Sequence, residues 1–290
     1  MDGIAQKKRS LLAVLAHPDD ETFGMGGTLA LYARRGVDVS LVCATRGEAG
    51  EVDAVYMEKL NSPACLRTQE LKCAAEILGI RRVIFLNYRD SGMPGSADNA
   101  HPNALTAQPV EVVAEKVAHI MRELKPDVVL TFDPIGGYRH PDHIAMHRAT
   151  VRAFDMAADS KAIVGSENLP PHQASRLYFH TMEHTFMKLR VFMLRLSGKD
   201  PHRLGRNHDI DIASLAEVRY PTHVRINYAE VAELRKRAAA CHASQGGATV
   251  SRGLQGLIAR LVDRKQETFM QAYPQLPKKG KISRDLFAGL

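Results

Sequence analysis

Through the first half of the chain, short apolar runs rich in β-branched residues alternate with longer stretches of helical periodicity. This is the pattern of a parallel sheet covered by helices. LLAVLA at 11–16, VDVSLVCAT at 37–45, VIFLN at 83–87 and VVLTF at 128–132 read as four strands. Between them the pattern predicts helices over 24–35, ended by Gly36, over about Pro63–Leu78, stopped by Gly79, and over about Pro109–Leu124. A further helix begins near Pro141, because proline suits the first helical position. Each strand runs into a polar loop, and in an open α/β sheet the loops at the carboxyl ends of the strands line the ligand crevice. The expected site therefore assembles from His17–Glu21, Arg46–Glu48, Tyr88–Asp90 and Asp133–His143.

The second half is less regular. Residues 160–175 read as an irregular connection, and RLYFHTM at 176–182 and THVRINY at 222–228 as added strands. Two helices are expected, from about Ala229 to His242 and from Leu254 to Phe269, separated by the turn ASQGGAT. The tail LPKKGKISRDLFAGL reads either as mobile or as cover for a subunit neighbour, so a homo-oligomer is compatible with the sequence. No internal repeat is evident. The expected architecture is a Rossmann-like three-layer α/β/α fold with a mostly parallel sheet. A catalytic core over 1–158 would carry the metal site, and a smaller C-terminal region over 159–290 would shape the substrate pocket.

Composition narrows this picture without redirecting it. A chain of 290 residues, 45% hydrophobic and 24% charged, can bury a substantial core and is not disordered in character. The excess of 39 Lys and Arg over 32 Asp and Glu gives a formal charge of +7, which solvated helix faces explain. No recognition helix, aromatic RNA-binding pattern or zinc-finger spacing points to nucleic acid. The apolar run at the N-terminus is too short for a signal peptide, and no segment approaches the roughly 18 apolar residues of a membrane span. Cys43, Cys65, Cys73 and Cys241 show neither close pairing nor the density of a secreted scaffold. They are expected to be reduced and mostly buried, in a cytoplasmic protein.

The chemistry concentrates in two stretches. In LLAVLAHPDDETFGMGG, one imidazole and three carboxylates fall within five positions at a strand end. In FDPIGGYRHPDHIAMH, His140 and His143 lie three apart at the start of a helix. A divalent ion would turn the first cluster from a repulsive group into a coordination sphere. Zinc at a catalytic site takes three protein ligands and leaves a position for water, although His and Asp ligands also accept other divalent ions. Taken singly, Asp20 could be a helix cap. His147, four residues from His143, could offer a ligand but ranks as core, as do Met25 and Cys43 beside apolar sequence.

AHPDDE followed by GMGGTL, together with GGYRHPDH, resembles the PIG-L or LmbE-like family of zinc-dependent N-acetylglucosaminyl deacetylases. TRGEAG at 45–50, RTQELKCAAEILG at 67–79 and NYRDSGM at 87–93 resemble the bacterial members that act on sugar conjugates in low-molecular-weight thiol biosynthesis. The resemblance is strongest over about 11–158 and resumes at AACHASQ, 239–245. It implies His17, Asp20 and His143 as zinc ligands and Asp19 as general base. It implies His140 as the residue assisting the tetrahedral intermediate or leaving group, and Tyr138 as the residue polarising the amide carbonyl. Arg67 and Asp90 fall where related enzymes hold the sugar or its aglycone.

Other positions carry weaker expectations. Glu48, with Arg46, either contacts substrate from a rim loop or belongs to a salt-bridged exposed one. Arg139 either selects an anionic aglycone or faces solvent. His242, Ser244 and Gln245 either close the site or form a cap and turn. The expected activity is hydrolysis of an N-acetyl group from an acetylated amino-sugar conjugate, a small-molecule substrate, with no nucleic-acid or membrane partner. The rivals are an amidase of thiol S-conjugates, a nucleotide-binding α/β module suggested by GMGGTL, and a metal-stabilised binding protein.

Overall fold

The structure, a computed structural model, describes residues 8–57, 61–162, 164–165, 169–204, 211–247 and 265–290. The chain runs β1 (Ser10–Leu15), α1 (Asp20–Arg34), β2 (Asp38–Cys43), α2 (Ala54–Met57), α3 (Pro63–Leu78), β3 (Arg82–Phe85), α4 (Val110–Leu124) and β4 (Val128–Phe132). It continues through α5 (Gly136–Arg139), α6 (Pro141–Ala158), β5 (Arg176–Thr181), α7 (His184–Leu196) and α8 (Ile212–Leu215). The last elements are β6 (Val224–Asn227), α9 (Ala232–Cys241) and β7 (Gln266–Tyr273). One seven-stranded sheet has the order β3-β2-β1-β4-β5-β7-β6. Its first five strands are parallel, and β7 runs antiparallel to both β5 and β6. This is the expected Rossmann-like α/β arrangement, and the strands after residue 159 extend the same sheet. Among the described residues no helix is long and apolar enough to cross a membrane.

The local causes are readable. Strands β1 and β4 are covered on both faces, which is why they are continuous apolar runs and do not alternate. Helix α3 begins with the Ser62 hydroxyl accepting from the Cys65 amide and Pro63 in the first turn, and ends at Gly79 in the left-handed conformation. The order of connections reverses between β1 and β4, which pair directly, Leu11 with Val128 and Ala13 with Leu130. The crevice beyond the carboxyl ends of these two strands is therefore the switch point of the sheet. His17 leaves β1 there, and the 133–143 loop leaves β4.

The structure departs from the sequence-based expectations in five places. Helix α1 starts at Asp20, and it breaks at Met25 (φ −137°, ψ 22°). At this break the amides of Gly27 and Thr28 donate to the Glu267 carboxylate at 3.0 and 2.7 Å. The expected helix from Leu254 lies outside the described residues as far as 264, and beyond it the chain forms β7. Pairing on both edges, with β5 and with β6, accounts for a strand here, and Phe269 is completely buried. The tail is docked: Leu286 and Phe287 are buried, and the Tyr32 hydroxyl donates to Asp285 and accepts from the Leu286 amide. Finally, Cys73 and Cys241 are joined in a disulfide between α3 and the end of α9, while Cys43 is buried and Cys65 exposed. The pairing spans 168 residues and arises from the packing of α9 on α3, which no spacing pattern reveals. Helix α7 was not anticipated either.

Gly27 shows how tightly the C-terminal half is seated on α1. A Cβ at this position would lie 2.2 Å from the ring of the buried Tyr228. We predict that Gly27→Ala lowers stability by roughly 2–3 kcal/mol through overpacking. Guanidinium unfolding would show it as a lower midpoint at unchanged slope, and an unaltered midpoint would refute the close approach.

Candidate metal centre

Three donor groups converge where the β1 and β4 loops meet. His17 Nδ1 lies 3.2 Å from His143 Nε2 and 3.5 Å from Asp20 Oδ2, and His143 Nε2 lies 3.1 Å from Asp20 Oδ1. Ligands around a tetrahedral zinc with bonds of about 2.0–2.1 Å stand roughly 3.3–3.4 Å apart, so this spacing fits. The opposite side of each ring fixes its tautomer. His17 Nε2 faces Asp142 Oδ2 at 3.1 Å and Asp90 Oδ1 at 3.4 Å, and therefore carries the proton. His143 Nδ1 faces the Gly136 carbonyl at 3.2 Å and carries its own proton. Two imidazole lone pairs and a carboxylate are left aimed at one another, an arrangement that a divalent cation such as zinc resolves.

The electrostatics agree. Burial opposes a charge on His17, but Asp90, Asp142 and Asp20 outweigh it and raise its pKa well above the ordinary value. The cluster calls for positive charge. Burial likewise opposes the Asp20 carboxylate, and His143 and His17 outweigh it, holding Asp20 well below the usual range. Asp20 is not serving as a cap, because its Oδ2 accepts from the His17 amide at 2.7 Å. Alternative groupings exist among the described residues: His17 with His140 and His143, and His17 with Asp90 and Asp142. His140 is set apart because its Nδ1 already accepts from the Asp142 amide at 3.2 Å. Asp90 and Asp142 lie on the protonated side of His17.

Asp19 occupies a different position from its neighbour. It lines a cavity of about 780 Å³, and its backbone sits at φ 121°, ψ −27°. A non-glycine residue enters such a region at a cost of about 1–3 kcal/mol, which surrounding contacts must offset. Arg67 supplies several: Nη2 donates to the Pro18 carbonyl at 2.7 Å and to Asp19 Oδ2 at 3.1 Å, while Nη1 donates to the Gly47 carbonyl at 3.2 Å. Gly47, at φ +72°, is required here, because a Cβ would fall 2.2 Å from the Arg67 guanidinium. Burial pushes the Asp19 carboxyl up to about 6, with Arg67 pulling the other way.

Of the remaining expected residues, Tyr138, His140, Arg67 and Asp90 line the same cavity. Burial raises the Tyr138 pKa, so its hydroxyl stays protonated as a donor. Met187, Val191, Ile212 and Leu215, from α7 and α8, form a small apolar cluster that packs on Ile135 and Tyr138. Glu48 does not face the cavity but pins two loops, its Oε2 accepting from the Arg46 amide at 3.2 Å and the Asp90 amide at 3.0 Å. Arg139 is exposed and lies outside the cavity wall. His147 bonds the Phe132 carbonyl at 2.9 Å and packs on Phe179, away from the cluster.

The sequence reading assigned no role to Asp142, although it is the aspartate of the second HPD tripeptide. It takes the His17 ring and the Ser91 amide at 2.9 Å, and is completely buried. Repetition of HPD was the available signal. The buried pairs Glu21–His242 and Glu70–Ser244 had none, since their members stand 221 and 174 residues apart.

Known proteins give the context for this site. The family model described as GlcNAc-PI de-N-acetylase, PIG-L, matches residues 12–154. A relative from Catenulispora acidiphila, 1D-myo-inositol 2-acetamido-2-deoxy-alpha-D-glucopyranoside deacetylase 2, is 40% identical over 209 residues, covering 68% of each chain. A Rhodococcus jostii deacetylase of the same description is 34% identical over 254 residues, covering 82% of each. The corresponding Kineococcus radiotolerans protein is 44% identical, but the match spans only 51% of its length and 59% of this chain. Two solved structures share the fold at 20% identity and a TM-score of 0.60. They are N,N'-diacetylchitobiose deacetylase from Pyrococcus horikoshii, matched over 94% of this chain and 85% of that one, and the hydratase GalB from Pseudomonas putida, over 94% and 100%. With 34–40% identity sustained over two thirds or more of both partners, the chain belongs to the PIG-L family of de-N-acetylases.

Proposed function

We propose that this chain is a metal-dependent N-deacetylase acting on an N-acetylglucosamine unit that carries a neutral polyol aglycone, releasing acetate and a free amine. One observation carries the reading: two imidazole lone pairs and one carboxylate converge on a point beside a second carboxylate, Asp19, that opens to the cavity. The relatives described as deacetylases of an inositol-linked acetamido-glucose support it. A cytoplasmic location belongs to the same proposal, and cell fractionation tests it.

In this reading His17 through Nδ1, Asp20, and His143 through Nε2 hold the ion. When bound there, zinc would supply polarisation of the acetyl carbonyl and a lower cost of forming hydroxide from water at neutral pH. Asp19 takes the proton as the water oxygen attacks the acyl carbon, its carboxylate aimed by Arg67. Charge then develops on the former carbonyl oxygen. The Tyr138 hydroxyl donates to it, and so does His140, whose Nδ1 is an acceptor and whose proton therefore resides on Nε2. The carbon–nitrogen bond breaks as Asp19 returns the proton to nitrogen.

The charge of the cavity wall bears on the aglycone. Among the described residues its carboxylates are Asp19, Glu51, Asp53 and Asp90, and its guanidinium, Arg67, is already engaged with Asp19 and approaches Asp90 at 3.9 Å. The relatives described as deacetylases of an inositol-linked acetamido-glucose take a neutral polyol aglycone, and this excess of carboxylates on the wall is in keeping with one. In this reading Arg139, exposed and outside the described wall, takes no part in selecting the aglycone.

Two measurements test these assignments. Asp19→Ala is expected to retain bound zinc by metal analysis while losing on the order of 10²–10⁴-fold in kcat, whereas His143→Ala loses the metal as well. Full turnover by Asp19→Ala would remove it from the role of base. The inositol-linked acetamido-glucose is expected to exceed its phosphoinositol counterpart in kcat/KM by at least about 10-fold. Equal rates on both, or faster cleavage of a thiol S-conjugate, would overturn the neutral-aglycone assignment.

A further inference from the structure

The Asp19 backbone is held from a direction that the reaction itself does not explain. Its amide donates to Glu21 Oε2 at 2.9 Å. Glu21 is completely buried, and its other oxygen, Oε1, accepts from His242 Nε2 at 2.7 Å and from the Thr22 hydroxyl. His242 is itself completely buried and forms no part of the cavity wall, so it cannot reach a substrate. It sits just beyond α9, whose last residue, Cys241, is bonded to Cys73 on α3. Two residues further on, the Ser244 amide and hydroxyl donate to Glu70 of α3 at 2.8 and 2.7 Å. Arg67, on the same helix, grips the Asp19 carboxylate from the other side. The base is thus clamped between α3 and a segment more than two hundred residues downstream.

We propose that His242 is a positioning residue for the deacetylation: through Glu21 it fixes the strained Asp19 backbone and so aims the Asp19 carboxylate into the cavity. This rests on the reading of Asp19 as the base. A carboxylate with one oxygen on the Asp19 amide needs a donor on the other to stay in place at this depth. His242 is that donor, and its anchorage to α3 keeps it registered with Arg67. Removing the donor leaves the ion's ligands untouched but lets the Asp19 turn relax from its unfavourable conformation.

The test uses the zinc-loaded full-length protein and the inositol-linked acetamido-glucose. His242→Ala is expected to lower kcat by about 10–100-fold, the range seen when a partner behind a metal ligand is lost, with KM within twofold and zinc content unchanged. His242→Gln, whose amide nitrogen can donate to Glu21, is expected to recover most of the loss. His242→Leu, which fills the space without a donor, is not. Glu21→Gln is a second variant should His242→Ala fail to fold, and it is expected to lower kcat without changing KM. Combined with His242→Leu, it should cost no more than the larger single effect, because both break one contact. Equal activity of the Leu and Gln variants, or multiplicative losses in the double variant, would overturn the proposal in favour of packing alone. Asp19→Ala in the same assay separates the two failures: full activity there removes the base itself, whatever His242 does.

Discussion

Everything at this site follows from the concentration of negative charge beyond the ends of β1 and β4. Asp19, Asp20, Glu21, Asp90 and Asp142 lie within contact of one another's partners, little exposed to water. A buried carboxylate is tolerated only with close compensation, and four of them find it within the chain, two by sharing the His17 ring. Asp142 takes the His17 ring and the Ser91 amide, Asp90 takes His17 and the Gly92 amide, Glu21 takes His242, and Asp19 takes Arg67. Once these partners are assigned, both rings have their protons on the outer side. The inner lone pairs and Asp20 are left facing a common point. The cation is the one charge the protein does not supply.

The same constraint explains why the C-terminal half folds back over the catalytic loops. His242, Ser244 and Glu267 each pair with a polar group near α1 or α3 that would otherwise be buried alone. Glu267 also decides the fate of the glycine-rich stretch. The helix N-terminus at Gly27 and Thr28 is the kind of place where a phosphate binds, but the chain's own carboxylate occupies it. The glycine at 27 serves close packing against Tyr228. The nucleotide-binding alternative thereby loses the anion site on which it stood.

The first half of the fold was legible because its signals are local. Ser62, Pro63 and Gly79 bound α3, Pro141 opens α6, and doubly covered strands leave uninterrupted apolar runs. The cluster was legible because one HPD tripeptide follows β1 and the other opens α6 beyond β4, and the topology sets these two strands side by side. What escaped was non-local. The Cys73–Cys241 bond, the Glu21–His242 pair and the Glu267 cap depend on how α9 and β7 seat against α1 and α3, and although AHPDDE and AACHASQ stand out, no local pattern says which residue pairs with which. The helix expected as far as Phe269 overlaps only the first four residues of β7, where a short run of mixed polar and aromatic residues fits both periods until a neighbouring strand selects one.

Adjacent residues Asp19 and Asp20 show how one turn separates two tasks. Their side chains are chemically identical, yet burial pushes Asp19 up to about 6 while His143 and His17, against the same burial, hold Asp20 well below the ordinary range. Pairs of carboxyls whose surroundings drive them apart are the usual mark of a divided role, one remaining a fixed charge and the other exchanging a proton. The division is a matter of backbone geometry. At φ 121° the chain turns Asp19 to the cavity and leaves Asp20 on the imidazoles, and an ordinary helix start would give neither. The sheet brings the loops together, but the strained turn and the groups that hold it decide which chemistry they can perform.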